Sequence, residues 1–304
     1  MTKDFIVTHN TLTAEAEFAR IARGKDPFNK RADKYLKMMA VGKDARHIGQ
    51  VMWRKLYWSG AFDCIVDNET GFIRSVRPDP LNPTQIDPSD AARRKEWIPS
   101  PPLIPDSCIG SITWESMGEG IPKVVTLKNG TEMLWCTSNG APPNGIQLDV
   151  AHFDEELTSD RWLPETLPRL LRFGGIFFWS ATPQASTPQF FDLHKRAVAG
   201  DPDIEEFTLL IENNPYLPAE SKEAFRRDML ALGDEEYQVR WKGKYAIQGR
   251  EVYPTYDLRK QGITMPSIPS DWMIVIAVDP GTAISAFVPI GVPPSGDKIV
   301  VLGE

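Results

Sequence analysis

Two short apolar runs, each ending in polar residues and separated by one helix length, constrain this 304-residue chain more than any other feature. The first lies within Gly145–Glu156, is apolar over Val150–Phe153 apart from His152, and ends in Asp154, Glu155 and Glu156. The second, Gly175–Trp179, ends in Ser180, Ala181, Thr182 and Pro183. Between them Leu163–Arg172 reads as a single helix. A strand–helix–strand unit closes by a right-handed crossover that leaves its strands parallel. Strands this apolar belong to a sheet covered on both faces. Both polar tips then emerge at one edge of the sheet.

That pairing of acids with alcohols has a chemical use in nucleotide hydrolysis. A carboxylate at Asp154 would hold Mg²⁺, usually through water, while Glu155 orients and polarises the attacking water. Hydroxyls at Ser180 and Thr182 would sense the γ-phosphate or the water beside Glu155. An acidic pair after a strand is, by itself, more often a solvated turn; the spacing to the second run favours the chemical reading.

The rest of the chain continues the alternation. Thr11–Arg23 reads as a helix stopped by Gly24, Tyr35–Val41 as a strand and Ala45–Tyr57 as the next helix. This βαβ rhythm implies an α/β fold around a parallel sheet. Proline enrichment over Arg77–Pro105 predicts an irregular excursion. Asn129-Gly130, between the β-rich runs of Lys123–Trp135, predicts a hairpin. Ala219–Ala231 and Glu235–Trp241 read as helical, and Met265–Ser270 as a linker. Trp272–Val278 is apolar enough to predict a strand buried on both faces, with a hairpin through Ala283–Leu302 after it.

Composition narrows the function classes. No apolar run reaches the roughly 18–20 residues of a membrane span, and the N-terminus lacks the apolar stretch of a secretory signal. Cys64, Cys108 and Cys136 form no CxxC pair and read as reduced thiols in a cytosolic setting. A net charge of −7 argues against a permanent nucleic-acid clamp. Transient grip on DNA would need local patches, such as Arg226-Arg227 or Arg240-Lys242-Lys244.

Asp154-Glu155-Glu156 with Ser180-Ala181-Thr182 resembles the large subunit of tailed-bacteriophage terminases. So do Asn213-Asn214-Pro215-Tyr216-Leu217-Pro218, Val239–Tyr245 and Val252-Tyr253-Pro254. The resemblance implies a RecA-like, P-loop-type ATPase domain with a parallel central sheet over 11–250, with 219–250 as a helical subdomain. After a linker at 251–270, it implies the first strands of an RNase H-like nuclease over 271–304. The implied cofactors are ATP and Mg²⁺. The implied partners are double-stranded DNA, the terminase small subunit, the portal and procapsid, and sister subunits in a ring, all in the cytoplasm of an infected bacterial host. Carried over, Asp154 is the Mg²⁺ carboxylate, Glu155 the catalytic glutamate and Ser180-Ala181-Thr182 the coupling motif. Asp279 matches the first nuclease carboxylate, catalytic and metal-binding; two-metal cutting needs further acids, and the chain ends at Glu304.

A GxxxxGK[ST] phosphate loop is absent. Thr11, opening a helix, takes the place of that loop's Mg²⁺-binding threonine, with His9-Asn10 before it. Asp4–Asn10 followed by Thr11 resembles the C-terminal end of an intein at its splice junction. Residues 1–10 would then be an intein remnant: Asn10 cyclises, His9 polarises its carbonyl, and Thr11 accepts an upstream polypeptide carrying the phosphate loop. Ten residues is short for such a segment. Both active sites are thus expected to be incomplete, and the isolated chain inactive. Two other readings stand beside this one. A helicase-like translocase predicts Q-x-x-R-x-G-R motifs that are missing. The other is a fragment that only binds partners until it is joined.

Overall fold

The computed structural model describes residues 4–8, 11–25, 35–183, 188–245, 267–279, 286–296 and 299–302. The chain divides into two compact units, Met1–Gly249 and Arg250–Glu304.

The first unit opens with β1 (Asp4–Thr8), α1 (Thr11–Ala22) and β2 (Lys37–Gly42). A π-helical stretch, His47–Trp53, then runs directly into α2 (Arg54–Tyr57). The proline-rich excursion follows. Rather than being irregular throughout, it carries β3 (Asp63–Val66), β4 (Ile73–Ser75), α3 (Pro88–Ala92) and β5 (Ile98–Pro99), with β3–β5 forming a small sheet of order β4-β3-β5. Buried Asp90 holds it together, because both carboxylate oxygens accept from Arg74, at 2.7 and 2.8 Å. The bidentate pair adds to the burial of Cys64, Ile65 and Val76, which are at most 3% exposed.

Next come β6 (Ile109–Ser116), β7 (Ile121–Leu127), β8 (Glu132–Thr137) and β9 (Val150–Asp154). They are followed by α4 (Trp162–Leu171), β10 (Ile176–Ala181), α5 (Pro188–Val198) and β11 (Ile204–Thr208). The unit closes with α6 (Ala219–Leu232), α7 (Asp234–Glu236) and a π-helical turn over Tyr237–Trp241. The main sheet has the order β11-β1-β10-β9-β2-β8-β7-β6. Every pairing from β11 to β8 is parallel, and the β7–β8 hairpin and β6 continue it antiparallel. The Asn129-Gly130 turn sits where expected, with Gly130 at φ 87°.

Strict alternation divides the core between the two faces of the sheet. Met38 and Ala40 of β2, Val150 of β9 and Phe178 of β10 join Phe18, Met52, Trp53 and Trp135 on one face, under α1 and the π-helical stretch. Met39 and Val41, Ala151 and Phe153, and Phe177 and Trp179 meet Trp162, Leu170 and Phe190 on the other, under α4 and α5. Gly175 lets β10 start close to the strand beside it, because a Cβ there would lie 2.7 Å from the carbonyl oxygen of Asp149.

The second unit contains β12 (Met273–Asp279), β13 (Ala286–Val292) and β14 (Val300–Val301), antiparallel in that order. The hairpin follows the expectation, but the burial of β12 does not. Met273, Ile274, Val275, Ile276 and Val278 are all exposed, from 42% to 61%. Among the described residues of this unit, neither face of the strand is covered. An apolar run specifies that a strand will seek cover, not that cover is present.

Candidate functional site

The four strands β1, β10, β9 and β2 run in one direction, so their C-terminal ends lie along one edge of the sheet. In an open α/β sheet this edge is where ligands bind. Ser180 stands directly opposite Asp154 in register, and Ala181 opposite Thr8. The two sequence-predicted motifs are therefore neighbours, held by backbone pairing.

Asp154 is 1% exposed, and both of its oxygens are engaged. The Ser180 hydroxyl donates to Oδ1, and His47 Nε2 lies 2.7 Å from Oδ2. Burial alone would raise this carboxyl's pKa. The hydrogen bonds from His47 and from the Ser180 hydroxyl outweigh it and hold the pKa below the usual aspartate value.

Behind Asp154 lies a fully buried chain of polar groups reaching back to α1. His152 Nε2 lies 2.9 Å from Ser180 Oγ, and His152 Nδ1 lies 3.6 Å from Glu15 Oε1. Ser180 spends its only proton on Asp154, so its oxygen must accept from His152 Nε2–H. The imidazole is then neutral, and burial lowers its pKa to about 4. Glu15 is wholly buried, neither of its oxygens has a hydrogen-bond partner among the described residues, and desolvation raises its pKa well above the normal glutamate value. A neutral His152, the Ser180 hydroxyl and an ionised Asp154 form one hydrogen-bonded series with a single charge, beside which a protonated Glu15 adds none.

Glu155 sits one residue further out with φ 64°, a left-handed conformation that L-residues seldom adopt. Two hydrogen bonds fix it there: its N–H donates to the Ser180 carbonyl at 2.7 Å, and its own carbonyl accepts from Trp179 Nε1 at 2.8 Å. Strain of this kind persists only where neighbours impose it, and it is concentrated at functional sites. Burial and then the charge of Asp154 raise the pKa of Glu155, partly offset by His47 and by the Thr182 N–H, which donates to the carboxylate. Glu155 and Thr182 thus meet, as the spacing of the motifs predicted.

Thr11 opens α1, and β1 ends at Thr8, leaving only residues 9 and 10 between strand and helix. Two residues cannot wrap a phosphate. The structure of His9, Asn10 and Glu304 lies outside the described residues. Asp279 closes β12 opposite Ala286, but its side chain is not among those described, so no nuclease centre can be built around it. Cys64, Cys108 and Cys136 are free thiols.

Among the described residues, no cluster of three or more histidine, cysteine or acidic side chains could hold a metal unaided. Mg²⁺ keeps several waters and takes one or two carboxylates plus phosphate oxygens; with both Asp154 oxygens and the Ser180 hydroxyl already engaged, Asp154 would meet such an ion through water. Glu15, His47 and His152 are site residues that no sequence motif announces. Glu15 and His152 left a trace, as ionisable groups on otherwise apolar faces of α1 and β9; His47 left none, because only the tertiary fold brings it to Asp154.

No family model matches the chain, and no curated protein matches it in sequence. Among solved structures it is similar to the large terminase of a thermophilic bacteriophage in complex with ADP, at 14% identity and a TM-score of 0.47, over 96% of this chain and 61% of that one. The same terminase with ATP-γ-S gives 14% and 0.46, over 99% of this chain and 62% of that one. The HK97 bacteriophage large terminase gives 11% and 0.49, over 97% and 57%. The chain thus spans about three fifths of the length of these structures.

Proposed function

We propose that the first unit is the ATPase of a tailed-bacteriophage packaging motor of the large-terminase type, built to move double-stranded DNA into a procapsid. One observation carries this reading. Two adjacent parallel strands bring a buried, ionised Asp154, a strained Glu155 of raised pKa and the Ser180–Thr182 tip together at the ligand-binding edge of the sheet. In this assignment Asp154 positions Mg²⁺, with Thr11 as a second oxygen donor. When bound, the cation neutralises charge on the β- and γ-phosphates. Glu155 accepts a hydrogen bond from the attacking water and aims it, and its raised pKa brings it nearer the range in which it can take a proton. Ser180 couples strand β10 to the state of Asp154, so a change at the phosphates is felt along the Ser180–Thr182 segment.

Phosphate cradling is assigned to an upstream polypeptide. Residues 1–10, ending in His9-Asn10, are proposed as an intein remnant that leaves when Thr11 is joined to that piece, whose own strand then takes the place of β1. Small subunit, portal and sister subunits are the proposed partners, with the host cytoplasm as location. Asp279 is proposed to begin an RNase H-like nuclease in the second unit, from 271 onward, completed by acids downstream.

Co-expression of the chain with an upstream piece ending in GxxxxGK tests both assignments. The expected result is a joined product that hydrolyses ATP, while the chain alone shows no appreciable turnover. In the joined product Glu155→Gln is expected to lower kcat by about 10²–10⁴-fold, the usual worth of a general base. Failure to join would remove the intein assignment. A joined product that turns over unchanged with Glu155→Gln would remove the ATPase assignment.

A further inference from the structure

The helical stretch over residues 45–57 leaves the site and crosses the surface as one continuous rod. His47, held against Asp154, marks its inner end. One face of the rod is buried: Ile48, Met52, Trp53 and Leu56 are each at most 2% exposed. Gly49 permits close docking, because a Cβ there would stand 3.1 Å from the Gly120 carbonyl oxygen. The opposite face carries Arg46, Gln50, Arg54 and, just past the last turn, Trp58 at intervals of four residues, preceded by Lys43, all exposed.

Of the five cations in the basic patches that the sequence suggested, three are ion-paired, unlike those of this stripe. Arg226 is paired with Glu223 at 2.7 Å, Arg240 with Glu236, and Lys242 lies 3.5 Å from Glu212. Among the described residues no carboxylate lies within ion-pairing distance of Lys43, Arg46 or Arg54. Arg54 lies over the Trp58 ring at 5.2 Å, which braces the guanidinium without neutralising it. Two depressions of about 360 and 400 Å³ flank the rod and share Gln50 as a wall. Glu119 lines the first of them with Arg46 and is the acidic group facing the stripe there.

From these observations we infer that the Lys43–Arg46–Gln50–Arg54–Trp58 face is the surface with which the chain holds the phosphate backbone of duplex DNA. This rests on the packaging reading above and adds to it the gripping surface. Eleven helical steps from Arg46 to Tyr57 span at most about 16 Å at the α-helical rise, less where the stretch is π-helical, or about four base pairs of duplex. Spaced guanidinium, amide and indole donors suit phosphate and sugar oxygens, which position a protein on DNA without reading sequence. A net charge of −7 disfavours DNA over most of the surface, so binding depends on a local cluster of unpaired cations such as this stripe.

The test uses the full chain and a short random-sequence DNA duplex carrying a fluorophore, titrated by anisotropy over a range of salt. Arg46→Gln/Arg54→Gln is expected to weaken binding at least about tenfold at low salt. The same variant is expected to cut the slope of log affinity against log salt by about 2, roughly one for each phosphate no longer neutralised. Arg46→Lys/Arg54→Lys keeps the point charges and is expected to retain most of the slope. Arg226→Gln/Arg240→Gln is expected to leave affinity unchanged. Three outcomes would overturn the assignment: no duplex binding by the folded wild-type chain, an unchanged slope in the stripe variant, or an equal loss in the control. A stripe variant that alters sedimentation while DNA affinity stays constant would instead assign the face to an acidic protein surface. A fluorescent ATP analogue titrated against the joined wild type and stripe variant separates this from the ATPase reading, since the stripe variant is expected to bind nucleotide normally.

Discussion

Glu155 shows how a single residue can carry a functional assignment and a structural cost together. Its left-handed backbone, φ 64°, penalises any residue with a Cβ. Glu155→Gly and Glu155→Ala both delete the carboxylate, but only glycine relieves the backbone. Thermal melts are expected to place the glycine variant above the alanine variant by about 1 kcal/mol; equal stabilities would show that the conformation is unstrained. The buried series behind Asp154 makes a second prediction. His152 titrates at about 4 in the folded protein, below the roughly 6.5 of an unfolded histidine, because burial disfavours its cation. Its contribution is therefore fully present above about 6.5 and is lost as pH falls toward 4. Glu15 works in the opposite direction. Its folded pKa is raised, so stability is complete below the unfolded glutamate value of about 4.3 and declines as pH rises above it. Glu15→Gln is thus expected to melt higher than wild type at neutral pH and to match it in acid. A variant that melts lower at neutral pH would mean that the carboxylate is ionised and paired.

At the scale of elements, the apolar strands and the acid or alcohol at each tip were legible in the sequence. β2, β9 and β10 fall within a residue or two of expectation, because a strand buried on both faces leaves an unbroken apolar signature. The small sheet inside the proline-rich excursion was not legible: its strands are only two to four residues long, and Arg74 and Asp90, sixteen residues apart, tie it together. Nor was the uncovered state of β12, since hydrophobicity records demand for burial and not its supply. The close approach at Gly175 gives an elemental prediction. Gly175→Ala brings a methyl to within 2.7 Å of the Asp149 carbonyl oxygen and of Leu170 Cδ2, so β10 must shift. Overpacking of this kind is expected to cost about 1–3 kcal/mol in chemical denaturation; a neutral result would mean that the β9–β10 junction is not tightly packed.

At the scale of the molecule, the two units differ in how their apolar surface is covered. The first has core on both faces of its sheet, whereas the second exposes apolar side chains along β12. Hydrogen exchange follows the local cost of opening, so amides of β2, β9 and β10 are expected to exchange slowest and those of β12–β14 much faster. Equal protection in both units would mean that β12 is covered in solution.

The sequence by itself determined the alternation of strands and helices, the two polar tips at the end of apolar runs and their one-helix separation, because periodicity and chain connectivity act locally. Only the tertiary structure decided that Ser180 bonds Asp154, that His47 and His152 reach the same carboxylate from different elements, and that Lys43, Arg46 and Arg54 stay unpaired among the described residues while Arg226, Arg240 and Lys242 are paired. Those facts depend on which distant side chains come within a few ångströms of one another, and no spacing along the chain encodes that distance.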